Sequence, residues 1–91
     1  MKPTREQIDA LRARTPLSAV IREAGIALSR VGRDFQGVCP DCHKPDLVVV
    51  DSRGLYVCFA CKRAGDVVKF VQRDRNLSFV GAVNFLLERV A

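Results

Sequence analysis

Four cysteines arranged as two Cys-x-x-Cys pairs, Cys39 with Cys42 and Cys58 with Cys61, constrain this chain more than any other feature. Fifteen residues separate the pairs, a spacing that suits a single tetrahedral metal ion held by four thiolates. Two cysteines three apart on a tight turn aim both sulfurs at one ion, and a second such turn completes the tetrahedron. The surrounding words are nearly repeated: Val38-Cys39-Pro40-Asp41-Cys42 and Val57-Cys58-Phe59-Ala60-Cys61 each run an apolar strand end into a knuckle. A chain of 91 residues, read as one domain over 1–91, needs such a staple. At this size folding buries only about 60–65% of the unfolded surface.

One zinc ion is the expected occupant. Iron held as in rubredoxin suits the same ligands, because thiolate tetrahedra accept either metal. A redox Cys-x-x-Cys would instead sit between a strand and a helix in a chain long enough for a βαβ unit. Disulfides are disfavoured on compartment: Met1-Lys2-Pro3-Thr4-Arg5-Glu6 lacks the hydrophobic core of a secretory signal, so a cytoplasmic, reducing location is expected. No apolar run approaches the roughly 18–20 residues of a membrane span, and no membrane partner is expected. His43 follows Cys42 directly, and adjacent residues do not readily ligate one ion; Cys42 is taken as the ligand.

Outside the knuckles the pattern is mostly helical. Thr4 and Gln7 read as a capping box before Ile8 and Leu11. Thr15 is the expected N-cap of a second helix with Pro16 at its first position, Leu17, Val20, Ile21 and Ala24 as its stripe, and Gly25 as its stop. Strands are expected at 27–31, 34–38, 47–50 and 55–58. If Val50 opposes Leu55, then Val48, Val50, Leu55 and Val57 share one face, read as core; Leu47, Val49, Tyr56 and Cys58 share the other, with Tyr56 partly open near the metal. Gly65-Asp66 opens a third helix. Asn76-Leu77-Ser78 ends it and caps a fourth, whose apolar positions are Phe79, Ala82, Val83, Leu86, Leu87 and Val90. The expected fold is α+β: a small zinc-ribbon-like antiparallel sheet flanked by N- and C-terminal helices.

Lys plus Arg exceeds Asp plus Glu by 15 to 10, a formal charge of +5. A zinc bound by four thiolates carries −2, which leaves about +3. The balance favours an anionic partner, nucleic acid first. Cations interleaved with aromatics in the strand and knuckle region are the candidate contacts: Arg30, Arg33, Phe35, Lys44, Arg53, Tyr56, Lys62 and Arg63. The cations would hold phosphates while a ring stacks a base, the chemistry of single-strand binding. Each also has a bland reading, as a solvated turn charge or, for Phe35, as core. Phe59 is expected to shield the metal sulfurs, and Arg73 and Arg75 to complement the dipole of the third helix.

The succession of Ile8-Asp9-Ala10-Leu11, Gly37-Val38-Cys39-Pro40, Leu55-Tyr56-Val57-Cys58-Phe59-Ala60-Cys61, Gly65-Asp66-Val67-Val68-Lys69-Phe70 and Leu77-Ser78-Phe79-Val80-Gly81-Ala82-Val83 resembles the N-terminal zinc-binding domain of bacterial DnaG-type primases. The resemblance covers nearly the whole chain, in order. That family usually ligates zinc with Cys-Pro-x-His followed by Cys-x-x-Cys, and here Cys42 occupies the histidine position. The loop His43-Lys44-Pro45-Asp46 is also shorter than the family's. The resemblance implies a module that touches single-stranded template DNA and helps a separate catalytic domain start a primer, with a replicative helicase as a further partner. The catalytic core of that family is a TOPRIM fold with acidic metal-binding residues. The ten acidic residues here include no Asp-x-Asp pair, so no enzyme activity is expected of this chain alone. The rival expectation is a zinc-ribbon adaptor that docks on a protein partner without direct DNA binding, through apolar positions such as Phe85.

Overall fold

The computed structural model describes residues 3–90, with the side chain of Val90 outside the described set. Helix α1 (Arg5–Arg14) starts at the expected capping box: the Gln7 amide donates to Thr4 Oγ1 at 3.2 Å, and the Thr4 amide donates to Gln7 Oε1 at 2.8 Å. Helix α2 (Leu17–Glu23) begins one residue later than expected, with Pro16 as its N-cap and no side-chain capping bond of its own. Thr15 instead closes α1, donating its amide to Leu11 O, and its buried hydroxyl finds no partner. Proline offers neither an N–H nor a side-chain oxygen, so the cap comes from elsewhere. Asp51, on the distant turn after the third strand, accepts from the Ser18 amide at 2.8 Å and from the Ser18 hydroxyl. Gly25, at φ +94°, ends α2 in a Schellman turn, with Ile26 N–H on Ile21 O and Gly25 N–H on Arg22 O.

Five strands follow: β1 (Leu28–Val31), β2 (Asp34–Gly37), β3 (Leu47–Val50), β4 (Leu55–Cys58) and β5 (Ala64–Asp66). They form one antiparallel meander in sequence order. The expected register holds, with Val50 opposite Leu55 and Val48 opposite Val57. The expected burial does not. Leu47, Val49, Tyr56 and Cys58 are buried, whereas Val48, Val50 and Val57 are half-buried and Leu55 is 45% exposed. Both faces of this hairpin are apolar, so alternation alone cannot say which one points inward. The decision falls to the face carrying the larger Tyr56 ring and the Cys58 thiol, and Tyr56 is only 6% exposed.

Strand β5 was not expected, because Ala-Gly-Asp carries no strand propensity. It exists because the chain leaving the second knuckle returns beside β4, pairing Ala64 with Val57 and Gly65 with Tyr56. Asp66 then caps helix α3 (Val67–Arg75), accepting from the Lys69 amide at 2.9 Å, and pairs with Arg12 of α1 at 2.9 Å. Asn76, at φ 55°, stops α3 as expected. Ser78 caps helix α4 (Phe79–Val90) through the Gly81 amide.

The core lies between the inward sheet face and the helices. Leu17 and Ile21 from α2, Val49 from β3, Val67, Val68 and Val71 from α3, and Val83 and Leu86 from α4 are fully buried there. Each such side chain is worth about 1.5–3 kcal/mol of burial. Two α4 expectations change. Phe79 is 41% exposed rather than part of the stripe, since the helix begins at it and leaves it beyond the packed turn. Phe85 is half-buried rather than exposed, with the Arg75 guanidinium 4.6 Å over its ring. Val90, expected beside them, lies outside the described side chains. Gly37 sits where a Cβ would come within 2.7 Å of the Ala27 carbonyl oxygen, so the approach of β2 to the chain entering β1 excludes any side chain. That packing fixes β2 just before the first knuckle.

Candidate metal centre and the surface beside it

The two knuckles are built alike. In the first, the Cys39 amide donates to Lys44 O at 2.9 Å and the His43 amide to Cys39 O at 2.9 Å. In the second, the Cys58 amide donates to Arg63 O and the Lys62 amide to Cys58 O, both at 2.8 Å. The fourth residue after each leading cysteine, His43 at φ 61° and Lys62 at φ 66°, takes the left-handed conformation that closes the turn. A further bond, Phe59 N–H to Asp46 O at 3.1 Å, ties one knuckle to the other. The short loop between them is anchored to β2 by Gln36 Nε2 on Pro45 O at 2.8 Å.

These turns bring all four sulfurs within 4.8 Å of one another. A tetrahedral zinc with Zn–S of about 2.3 Å requires sulfurs about 3.8 Å apart; Cys39 to Cys61 is 3.8 Å and Cys42 to Cys58 is 3.5 Å. The donor set therefore fits one zinc ion, and Cys42, not His43, is placed to supply the fourth position. His43 is exposed and is spent on closing the turn. The electrostatics agree with a metal. Backbone N–H groups of Cys61 and Ala60 lower the Cys58 thiol to about 7, whereas burial and the Cys58 and Cys39 thiols raise Cys61 to about 11. Cys42 rises to about 12 although the backbone N–H at Lys44 opposes it, because burial and the other three thiols outweigh that bond. Without a cation the cluster tolerates little negative charge. With one, all four ionise and release their protons.

The proposed nucleic-acid residues do not form one surface. Lys44, Lys62 and Arg63 lie at the knuckle end. Arg33 and Arg53 occupy the β1–β2 and β3–β4 turns, at the opposite end of the strands. Arg30 and Phe35 pair across β1 and β2 on the helix side, with Arg22 at 4.9 Å and Arg30 at 5.9 Å over the half-buried Phe35 ring. Tyr56 is core. Phe59 is 59% exposed and stands in solvent rather than sealing the sulfurs. Sequence reasoning placed α3 but did not count Lys69 and Arg73 on it among the candidate contacts. Arg63, Lys69, Gln72 and Arg73 line one shallow shelf with Ala64, and it holds no carboxylate. Lys69 and Arg73 are four apart on an apparently ordinary helix, and only the packing of α3 beside the second knuckle reveals their company. Burial pushes the Tyr56 phenol above its ordinary range, and the nearby Arg73 guanidinium opposes that shift.

The family described as CHC2 zinc finger matches residues 3–91. The chain belongs to this family. Similar curated proteins are DNA primases: one from Clostridium acetobutylicum is 40% identical over 71% of this chain and 11% of its own length. One from Rickettsia typhi is 37% identical over 87% of this chain and 14% of its own length, and one from Staphylococcus epidermidis 34% over 99% and 15%. The crystal structure of the Aquifex aeolicus primase zinc-binding and RNA polymerase domains superposes with a TM-score of 0.82 at 32% identity, over 91% of this chain and 21% of that one. The 91 residues thus correspond to the zinc-binding domain of a DnaG-type primase, without the catalytic domain, and span 11–15% of those three relatives' length. Among the described residues, no helix is long and apolar enough to cross a membrane.

Proposed function

We propose that this CHC2 zinc finger binds single-stranded template DNA in the cytoplasm and assists primer initiation by a primase catalytic domain, beside a replicative helicase. The observation that carries this reading is the cluster of Arg63, Lys69 and Arg73 on one shelf against the second knuckle, within a chain whose relatives are DNA primases. The zinc ion fixes the knuckle, the knuckle fixes Arg63, and β5 delivers α3 with Lys69 and Arg73 to the same side. Phosphate contacts of this kind supply affinity that falls as salt rises, each adding about 0.7 to the logarithmic slope on a single strand.

Fluorescence anisotropy of a labelled single strand across a salt series tests the reading. Binding at low salt that weakens steeply with added salt is expected. Absence of binding at low salt, or binding indifferent to salt, overturns it.

A second reading, docking on a protein partner without DNA, has one observation in its favour. The outer sheet face presents Val48, Val50, Leu55 and Val57, and Leu77, Phe79 and Val80 are exposed at the α3–α4 junction. A complex with a primase catalytic domain that survives high salt, with DNA binding undetectable, would favour this reading.

A further inference from the structure

Between the first knuckle and α3 the surface opens into a cleft of about 190 Å³. Only two of the four cysteines, Cys39 and Cys58, line it, so it lies beside the metal centre and is not the ion's own cavity. Its floor is apolar and rigid: Leu47, Tyr56 and Phe70 are all buried, and the Tyr56 and Phe70 rings meet edge to face at 5.8 Å and 85°. Its rim carries both signs of charge, Arg63 and Arg73 against Asp41 and Asp74. Arg63 and Asp41 stand 3.6 Å apart at that rim. Tyr56 and Arg73 line the same cleft, and the phenol adds a hydroxyl that can donate or accept.

An apolar floor ringed by donors and acceptors is what the edge of a heteroaromatic base requires. The size limits the ligand. The cleft is smaller than the roughly 300–1,000 Å³ that encloses a drug-sized molecule, so it suits one ring system and not a dinucleotide. Arg63 and Arg73 also line the neighbouring shelf, where Lys69 adds a third cation. Base-type and phosphate-type surfaces therefore share two arginines.

We propose that this cleft receives one unstacked base of the single strand, with the adjoining phosphate held on the shelf by Arg63, Lys69 and Arg73. The inference rests on the template-binding reading and assigns it a base subsite. Arg75 provides a matched control. It lies on the same helix with the same charge, but its guanidinium covers Phe85 on the far side.

The test compares Arg73→Ala, Arg75→Ala and the unaltered chain, each zinc-loaded and checked for folding by circular dichroism. The probes are a labelled single-stranded oligonucleotide of about 12 nucleotides and the same backbone with its bases removed. One stacked base contributes about a tenfold preference or more. The unaltered chain is expected to favour the base-bearing strand by about that factor, with Arg73→Ala losing it and Arg75→Ala weakening both probes equally and slightly. Tyr56→Phe, which keeps the buried ring, is expected to lose part of the preference. Equal losses from Arg73→Ala and Arg75→Ala, with the abasic strand bound as well as the intact one, overturn the base subsite and leave template binding standing. No binding of either strand by the unaltered chain overturns both.

Discussion

Cys42 and His43 divide two jobs that a reader of the sequence could assign either way. In the CHC2 family the second ligand position usually holds histidine. Here a cysteine stands in that position, and the neighbouring histidine closes the turn with a positive φ. Zinc accepts either ligand, so the exchange alters the charge and softness of the site and not its geometry. Cobalt substitution reads the donor set directly. The unaltered chain and His43→Ala are expected to give the same visible ligand-field bands, and Cys42→His to shift them while still binding one ion. A spectral change with His43→Ala would transfer the ligand role to His43. The knuckles were legible from the sequence because a Cys-x-x-Cys turn is specified within a few residues. The burial of Tyr56 was not, since it depends on which apolar face of a hairpin the helices happen to cover.

At the scale of elements, the instructive case is how α2 begins. A threonine followed by proline reads as N-cap and first helical residue, yet the helix starts one position on, and the free Ser18 N–H turns to Asp51. The residues are 33 apart in sequence, and no local pattern announces the pair. The contact docks the β3–β4 turn onto α2 and places a carboxylate at the positive end of a helix, where a cap contributes about 0.5–2 kcal/mol. Asp51→Ala is therefore expected to lower unfolding stability in urea by about 1–2 kcal/mol, without changing metal content. A loss well below that would mean water replaces the carboxylate at no cost. Strand β5 was equally hidden, being three residues whose pairing is dictated by the knuckle before it. By contrast the capping box of α1, the glycine stop of α2 and the Asn76 stop of α3 are local devices, and each was legible.

For the whole molecule, the metal decides whether the parts stay together. The two knuckles join β2 to β3 and β4 to β5, so one ion held by their four cysteines would tie these strands together at one end of the sheet. Structural zinc contributes roughly 10–16 kcal/mol of apparent folding free energy at neutral pH, as much as or more than the roughly 5–15 kcal/mol that holds a typical domain folded. The metal also lowers the charge from +5 to about +3, so overall charge is a weak attraction for DNA. In the proposed template-binding role, the attraction would come from Arg63, Lys69 and Arg73 gathered beside the second knuckle. The account rests on one ion ordering both knuckle and shelf. Its most direct test is calorimetric melting of the chain before and after metal removal by a strong chelator in reductant. The loaded chain is expected to hold one zinc and melt in a single cooperative transition that the stripped chain lacks and that returning one equivalent of zinc restores. An unchanged transition in the stripped chain would contradict the account.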